Sequence, residues 1–234
     1  MDEQVALHEA IEGLYATFAS YPLRHPVVGC PCCVSRADQE LIASKVLRQL
    51  NGYDLERFVW KAMSTWGDEN DFRHFLPRVL ELMSDVRERR DLPDLFIIFR
   101  KLCSGHWELW PQQEQEAITT YLLAFWRWIL AGHPGSEEEY LVASVYLEAM
   151  VDDIDDFAPF LNAWRDMRTP PALRQLSELI RDHSWVAPLA QNMHLLAWLR
   201  EDSTKKMLEE GFYAYMDEEW AEELAQAVEM VAWL

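Results

Sequence analysis

Residues Leu55–Leu82 read LERFVWKAMSTWGDENDFRHFLPRVLEL, a helix, a glycine-stopped turn and an aspartate-led second helix. A related stretch recurs at Leu141–Met167, LVASVYLEAMVDDIDDFAPFLNAWRDM. Asp71-Phe72 and Phe75-Leu76 of the first align with Asp156-Phe157 and Phe160-Leu161 of the second, and Ala62-Met63 with Ala149-Met150 after a short gap. A repeated helix–turn–helix unit buries its apolar face only by stacking on its neighbours. The expectation is an all-α, HEAT/armadillo-like stack of about ten to twelve helices, one domain over residues 1–234 with pseudo-repeat halves 1–131 and 136–234.

Helical periodicity and punctuation extend that reading in both directions. Leu7, Ile11, Leu14, Tyr15 and Phe18 share one face of a first helix, which Tyr21-Pro22 ends. A proline- and cysteine-rich loop, Tyr21–Val34, follows. Ser35 with Asp38 forms a helix-start box, and Leu41, Ile42 and Leu50 continue that helix. Asp54 is the expected cap of the next helix, Gly67 its left-handed stop, and Asp71 the cap of its partner; Pro77 then kinks that partner from inside, or a short turn precedes a helix that begins near Leu76. Leu92–Cys103 is short and very apolar. Pro111 opens the longest helix, to about Ala131, apolar on so much of its surface that it belongs between neighbours. Past the break at Gly132–Gly135, further helices are expected at 136–151, 155–167, 170–182, 187–200, 204–215 and 217–234.

Composition agrees with this class. Half of the 234 residues are hydrophobic, and eleven tryptophans stand beside only eight glycines, as suits layered helices and not a turn-rich β protein. The net charge is −19, concentrated in the second half, where 8 basic residues face 21 acidic ones after Ala117. A field of that sign repels nucleic acid and anionic membranes and steers a basic partner inward. Met1-Asp2-Glu3 lacks the layout of a secretory signal, and the apolar runs are too short to span a bilayer, which points to the cytoplasm.

The sharpest chemical signal is Cys30-Pro31-Cys32-Cys33. Cys30 and Cys33 form one C-x₂-C pair, and Cys103 with His106 a C-x₂-H pair. Two such pairs are what a tetrahedral zinc site uses, because each short spacing presents two ligands to one ion. The expected set is Cys30, Cys33, Cys103 and His106 around a structural Zn²⁺. The same cysteines also allow thiol–disulfide exchange, although no βαβ pattern surrounds them and only His25 and Arg36 flank them closely as basic residues.

Asp71, Arg73, His74 and Arg78 are the one constellation suited to acid–base work, as a hydrolase using Asp71 and His74 would need. Asp71 as a cap is the plainer reading, and no nucleophile-elbow, phosphate-loop or zinc-protease motif occurs. Acidic clusters lie at Glu137, Glu138 and Glu139, at Asp152, Asp153, Asp155 and Asp156, and at Asp217, Glu218, Glu219, Glu222 and Glu223, each near an expected helix start. Together they suggest a one-signed face that binds and masks a basic protein.

Gly29–Val34, Lys61–Gly67 (KAMSTWG) and Asp71–Arg78 (DFRHFLPR) resemble a family of bacterial proteins with no assigned activity. The resemblance runs from the cysteine loop to about Leu82 and, more loosely, over Leu208–Leu224. It implies a bacterial, soluble, helical protein and carries no functional residue over. The leading functional expectation is therefore a non-enzymatic acidic helical protein that masks a basic partner, with immunity proteins that neutralise toxin domains as a natural home. The alternatives are a zinc-stabilised structural or regulatory protein, or the Asp71/His74 hydrolase.

Overall fold

The computed structural model describes residues 2–23, 26–132, 143–150, 154, 156–182 and 193–233. Among them are twelve α-helices and no strand. In chain order these are α1 Glu3–Phe18, α2 Arg36–Ala43, α3 Gly52–Lys61, α4 Glu69–Met83, α5 Leu95–Ser104, α6 Gln112–Ala131, α7 Ala143–Met150, α8 Ala158–Asp166, α9 Pro170–Arg181, α10 Met193–Arg200, α11 Asp202–Ala214 and α12 Ala221–Val231, with 3₁₀ turns at Leu47–Gln49, Glu88–Asp91 and Trp107–Leu109. The all-α expectation holds. The chain divides into two compact units, Met1–Leu122 and Leu123–Leu234, so the boundary lies inside α6 and not after it.

In the first unit α1 packs on α4, and α3 on α2, α4 and α5. Leu7, Leu14 and Phe18 of α1 and Phe72, Phe75, Leu76 and Val79 of α4 are buried. Phe58 of α3 lies 4.5 Å, centroid to centroid, from Phe75, and 5.5 Å edge-on from Trp66. Each such ring contributes about 1.5–3 kcal/mol by leaving water.

The helix starts differ from the sequence reading by one box each. Asn51, not Asp54, caps α3, and Asp54 sits at the third helical position, its side chain accepting from the Asn51 amide at 2.9 Å. Asp68, not Asp71, caps α4, and Asp71 returns the bond to the Asp68 amide at 3.0 Å. An aspartate three residues into a helix closes a capping box as well as it caps, so spacing alone reads the wrong member. The Ser35–Asp38 box is present, but α2 stops at Ala43, where the Ser44 hydroxyl bonds the Leu41 carbonyl; Leu50 is buried from a separate turn. Pro77 sits inside α4 and deprives the Arg73 carbonyl of its helical donor.

The second unit is built on aromatic rings. Trp126 stacks on Tyr146 at 5.4 Å and meets Trp164 edge-on at 5.2 Å; Trp164 stacks on Trp198 at 6.0 Å. Their polar edges are satisfied where it matters most, with Trp126 Nε1 donating to the Phe160 carbonyl at 2.8 Å and Trp164 Nε1 to that of Ala172 at 3.0 Å. α9 and α11 both pack on α12. Gly211 of α11 faces Leu173, where an added Cβ would lie 2.9 Å from Cδ1. The two aligned stretches are not equivalent element for element. Asp71 is inside α4, whereas Asp156 precedes α8 and accepts from the Ala158 amide at 3.0 Å. Helix 12 starts at Ala221, four residues beyond Asp217, whose stretch to Trp220 forms turns.

Candidate metal centre

The cysteine loop owes its position to the turn that ends α3. Beyond Lys61 the chain folds back, with the Lys61 carbonyl accepting from the amides of Ser64, Thr65 and Trp66 at 3.0–3.1 Å, and Met63 left-handed at φ 60°. Trp66 is buried and its Nε1 donates to the Val27 carbonyl at 3.1 Å. On this turn the loop lies antiparallel, through Cys30 N to Thr65 O at 2.7 Å and Gly67 N to Val28 O at 3.1 Å. Buried Val27 and Val34 anchor its two ends. Two glycines make the approach possible. A Cβ on Gly29 would fall 2.5 Å from that of Val34, and Gly67, at φ +68°, has Val27 Cγ1 2.8 Å from where its Cβ would be.

Within this frame the loop closes on itself. The amides of Cys33 and Val34 both donate to the Cys30 carbonyl at 2.9 Å. Lys61 Nζ donates to the Cys33 carbonyl, which Arg57 Nη2 also reaches at 3.5 Å; Arg57 is itself held by Asp38 at 2.8 Å. The result gathers three thiols. Cys30 Sγ and Cys32 Sγ are 2.8 Å apart, Cys32 Sγ and Cys33 Sγ 3.5 Å, and all three lie within 4.8 Å of one another. Cys32 is exposed and its neighbours half-buried, and none is in a disulfide. Hydrogen bonds from the Cys32 thiol and amide hold the Cys30 thiol below the usual range, while the close sulfurs of its neighbours push Cys32 up to about 11. Such a group of sulfurs could hold a metal ion.

Cys30 and Cys33 are thus brought together as expected, and the third member is Cys32, which spacing arguments passed over because it breaks the C-x₂-C pattern. Cys103 and His106 are outside the group. Cys103 is half-buried near the end of α5, and exposed His106 turns its Nδ1 to Glu108 Oε1 at 3.3 Å. The end of α5 nonetheless meets the same turn as the loop does. Lys101 Nζ donates to the Ala62 carbonyl at 2.8 Å, and a Cβ on Gly105 would lie 3.2 Å from Met63 Sδ. Loop and helix end are therefore joined through the α3–α4 turn, and the four expected ligands do not converge.

The Asp71/His74 group is dispersed. Asp71 is committed to its capping box. His74 Nδ1 donates to the Tyr21 carbonyl at 2.8 Å, and burial lowers its pKa, so the ring is neutral. Both line an open cleft of about 270 Å³ with Ser20, Tyr21, Pro22, Leu23, Asp68 and Asn70. The arginines do not line it. Arg73 lies over Trp110 and donates to Tyr21 Oη at 2.7 Å, and Arg78 bonds Glu81 and the Leu50 carbonyl.

Of the acidic positions, Glu137, Glu138, Glu139, Asp152, Asp153 and Asp155 lie outside the described residues. Asp156 is exposed. Asp217, Glu218 and Glu219 are exposed in the turn before α12, with Glu222 exposed and Glu223 half-buried in its first turn, where Glu223 pairs with Arg181 at 3.5 Å. No described helix is long and apolar enough to cross a membrane.

No family model, curated protein or solved structure matches the chain.

Proposed function

We propose that the protein binds a thiophilic metal ion, with zinc as the resting occupant, through Cys30, Cys32 and Cys33. The observation that carries this is the gathering of three sulfurs within 4.8 Å on a loop whose backbone is fixed by the α3–α4 turn. Among the described residues three thiolates are supplied, which leaves the fourth zinc position open to a further donor. The role is regulatory more than structural, because the buried side chains of α1, α3 and α4 hold the first unit without the sulfurs. Metal analysis of protein purified without added zinc tests the reading. The expected result is about one zinc per chain that a chelator removes with little change in melting temperature; less than about 0.2 per chain would end it.

A second reading keeps the acidic surface, as a protein that masks a basic partner such as a toxin domain. Its support is that Asp217, Glu218 and Glu219 are exposed with no cation in ion-pair range among the described residues, beside exposed Tyr213 and Met216. Aromatic anchors within a charged rim suit an interface. Capture of a basic protein that weakens steeply between low and physiological salt supports it; binding indifferent to salt speaks against it.

A further inference from the structure

We propose that the cysteine loop is a capture site for a trivalent thiophilic metalloid, of the arsenite or antimonite class, which displaces zinc from it. This rests on the thiolate-site reading above. Tetrahedral zinc at about 2.3 Å from sulfur sets its thiolates about 3.8 Å apart and requires a fourth donor. Here the sulfurs of Cys30 and Cys32 are 2.8 Å apart, those of Cys32 and Cys33 3.5 Å, and all three lie within 4.8 Å; among the described residues no other cysteine, histidine or carboxylate joins the group. Trivalent arsenic forms three bonds and points its lone pair along the fourth direction. Its bond angles are tighter than tetrahedral, which draws the sulfurs together. Three thiols on one turn supply the three bonds of that pyramid, whereas monovalent copper spreads three sulfurs into a plane.

The scaffold favours such an occupant. The three donors come from four consecutive residues, so one face of a single turn meets the ion. That turn is braced by Cys33 N and Val34 N on the Cys30 carbonyl, and by Lys61 and Arg57 on the Cys33 carbonyl. Exposed Cys32 gives an incoming oxyacid its first sulfur, with Cys30 and Cys33 beside it. The chemistry is exchange without oxidation. On the apo loop As(OH)₃ and three thiols give As(SR)₃ and three waters, each As–O bond being replaced by As–S and each hydroxyl leaving with a thiol proton; on the zinc-loaded loop, whose thiolates carry no proton, the three protons come from solvent as Zn²⁺ leaves.

The test uses the full-length reduced chain, apo and zinc-loaded, titrated with arsenite and followed by native mass spectrometry and by the ultraviolet absorption of As–S bonds. The expected product carries one arsenic in place of three hydrogens and has released its zinc. Cys30→Ser, Cys32→Ser and Cys33→Ser each weaken arsenite binding at least about tenfold, and Cys103→Ser leaves it unchanged, with circular dichroism confirming that each variant stays helical. A product that keeps one hydroxyl on arsenic and has lost only two thiol hydrogens overturns the proposal, as does equal affinity in Cys32→Ser. Zinc bound by all three cysteines but not displaced by arsenite sinks the metalloid inference alone. Wild-type protein that takes up neither ion sinks the parent reading as well.

Discussion

The amide of Cys30 donates to the carbonyl of Thr65 at 2.7 Å, tying the loop that follows α1 to the turn that follows α3. This bond seats the cysteine loop on that turn, and the sulfurs are gathered where loop and turn meet. An ion binding there finds its ligands arranged, so little ordering entropy opposes it.

Gly29 tests that seating. Gly29→Ala puts a methyl group 2.5 Å from Val34 Cβ, inside a loop with no room to shift. The expected outcome is a stability loss of about 1–3 kcal/mol in urea titration and a zinc affinity lower by about tenfold. Gly13→Ala is the control, since nothing lies within 4 Å of its Cβ and it sits within α1. It gains up to about 1 kcal/mol and leaves zinc binding alone.

Asp68 accepts from the amides of both Asn70 and Asp71 at the start of α4. Asp68→Ala is expected to cost about 1 kcal/mol, read as a melting temperature lower by a few degrees. Asp68→Asn keeps an acceptor and restores most of it.

How much of this was legible beforehand divides along physical lines. The helical class was legible because the apolar periods of α1, α4 and α6 are set by burial alone. The caps were displaced by three residues, since Asp54 and Asp71 close boxes that Asn51 and Asp68 open. The metal site was half legible. The pair Cys30 and Cys33 is visible as a spacing, but Cys32 joins them only through the folding of the loop on the Cys30 carbonyl. That Cys103 and His106 stand apart depends on where α5 meets the Ala62–Met63 turn, a tertiary fact with no local signature. The turning away of the arginines is similar, because Arg73 and Arg78 lie one and four residues from His74 in sequence yet turn toward Trp110 and Glu81.

Arg73 and Glu114 form a buried polar cluster with Tyr21. Tyr21 Oη donates to Glu114 Oε1 at 2.6 Å and accepts from Arg73 Nη1 at 2.7 Å, and Arg73 Nε lies 3.6 Å from Glu114 Oε2. Glu114→Ala leaves the largely buried guanidinium with exposed Glu69 as its remaining counter-charge and Tyr21 without its acceptor, and is expected to destabilise by about 1–3 kcal/mol in chemical denaturation. The double variant Arg73→Met with Glu114→Leu removes both charges and recovers much of that loss.

His74 gives the pH dependence. Burial lowers its pKa in the folded chain, so the unfolded chain binds its proton first as pH falls. Stability from this residue is present above the ordinary histidine pKa of about 6.5 and declines below it. His74→Gln, which retains a donor for the Tyr21 carbonyl, should flatten the acid side of the stability–pH curve below about pH 6.5, measured by thermal melts. An unchanged slope would show that the imidazole carries no part of the acid sensitivity.

The most direct measurement is the zinc dissociation constant of Cys32→Ser set against that of Cys103→Ser, with circular dichroism confirming that both are folded. If Cys30, Cys32 and Cys33 hold the ion, Cys32→Ser weakens zinc at least about a hundredfold and Cys103→Ser leaves it unchanged. The reverse pattern, with Cys103→Ser abolishing binding and Cys32→Ser retaining it, contradicts the three-thiolate centre and returns the ion to a site shared with the end of α5.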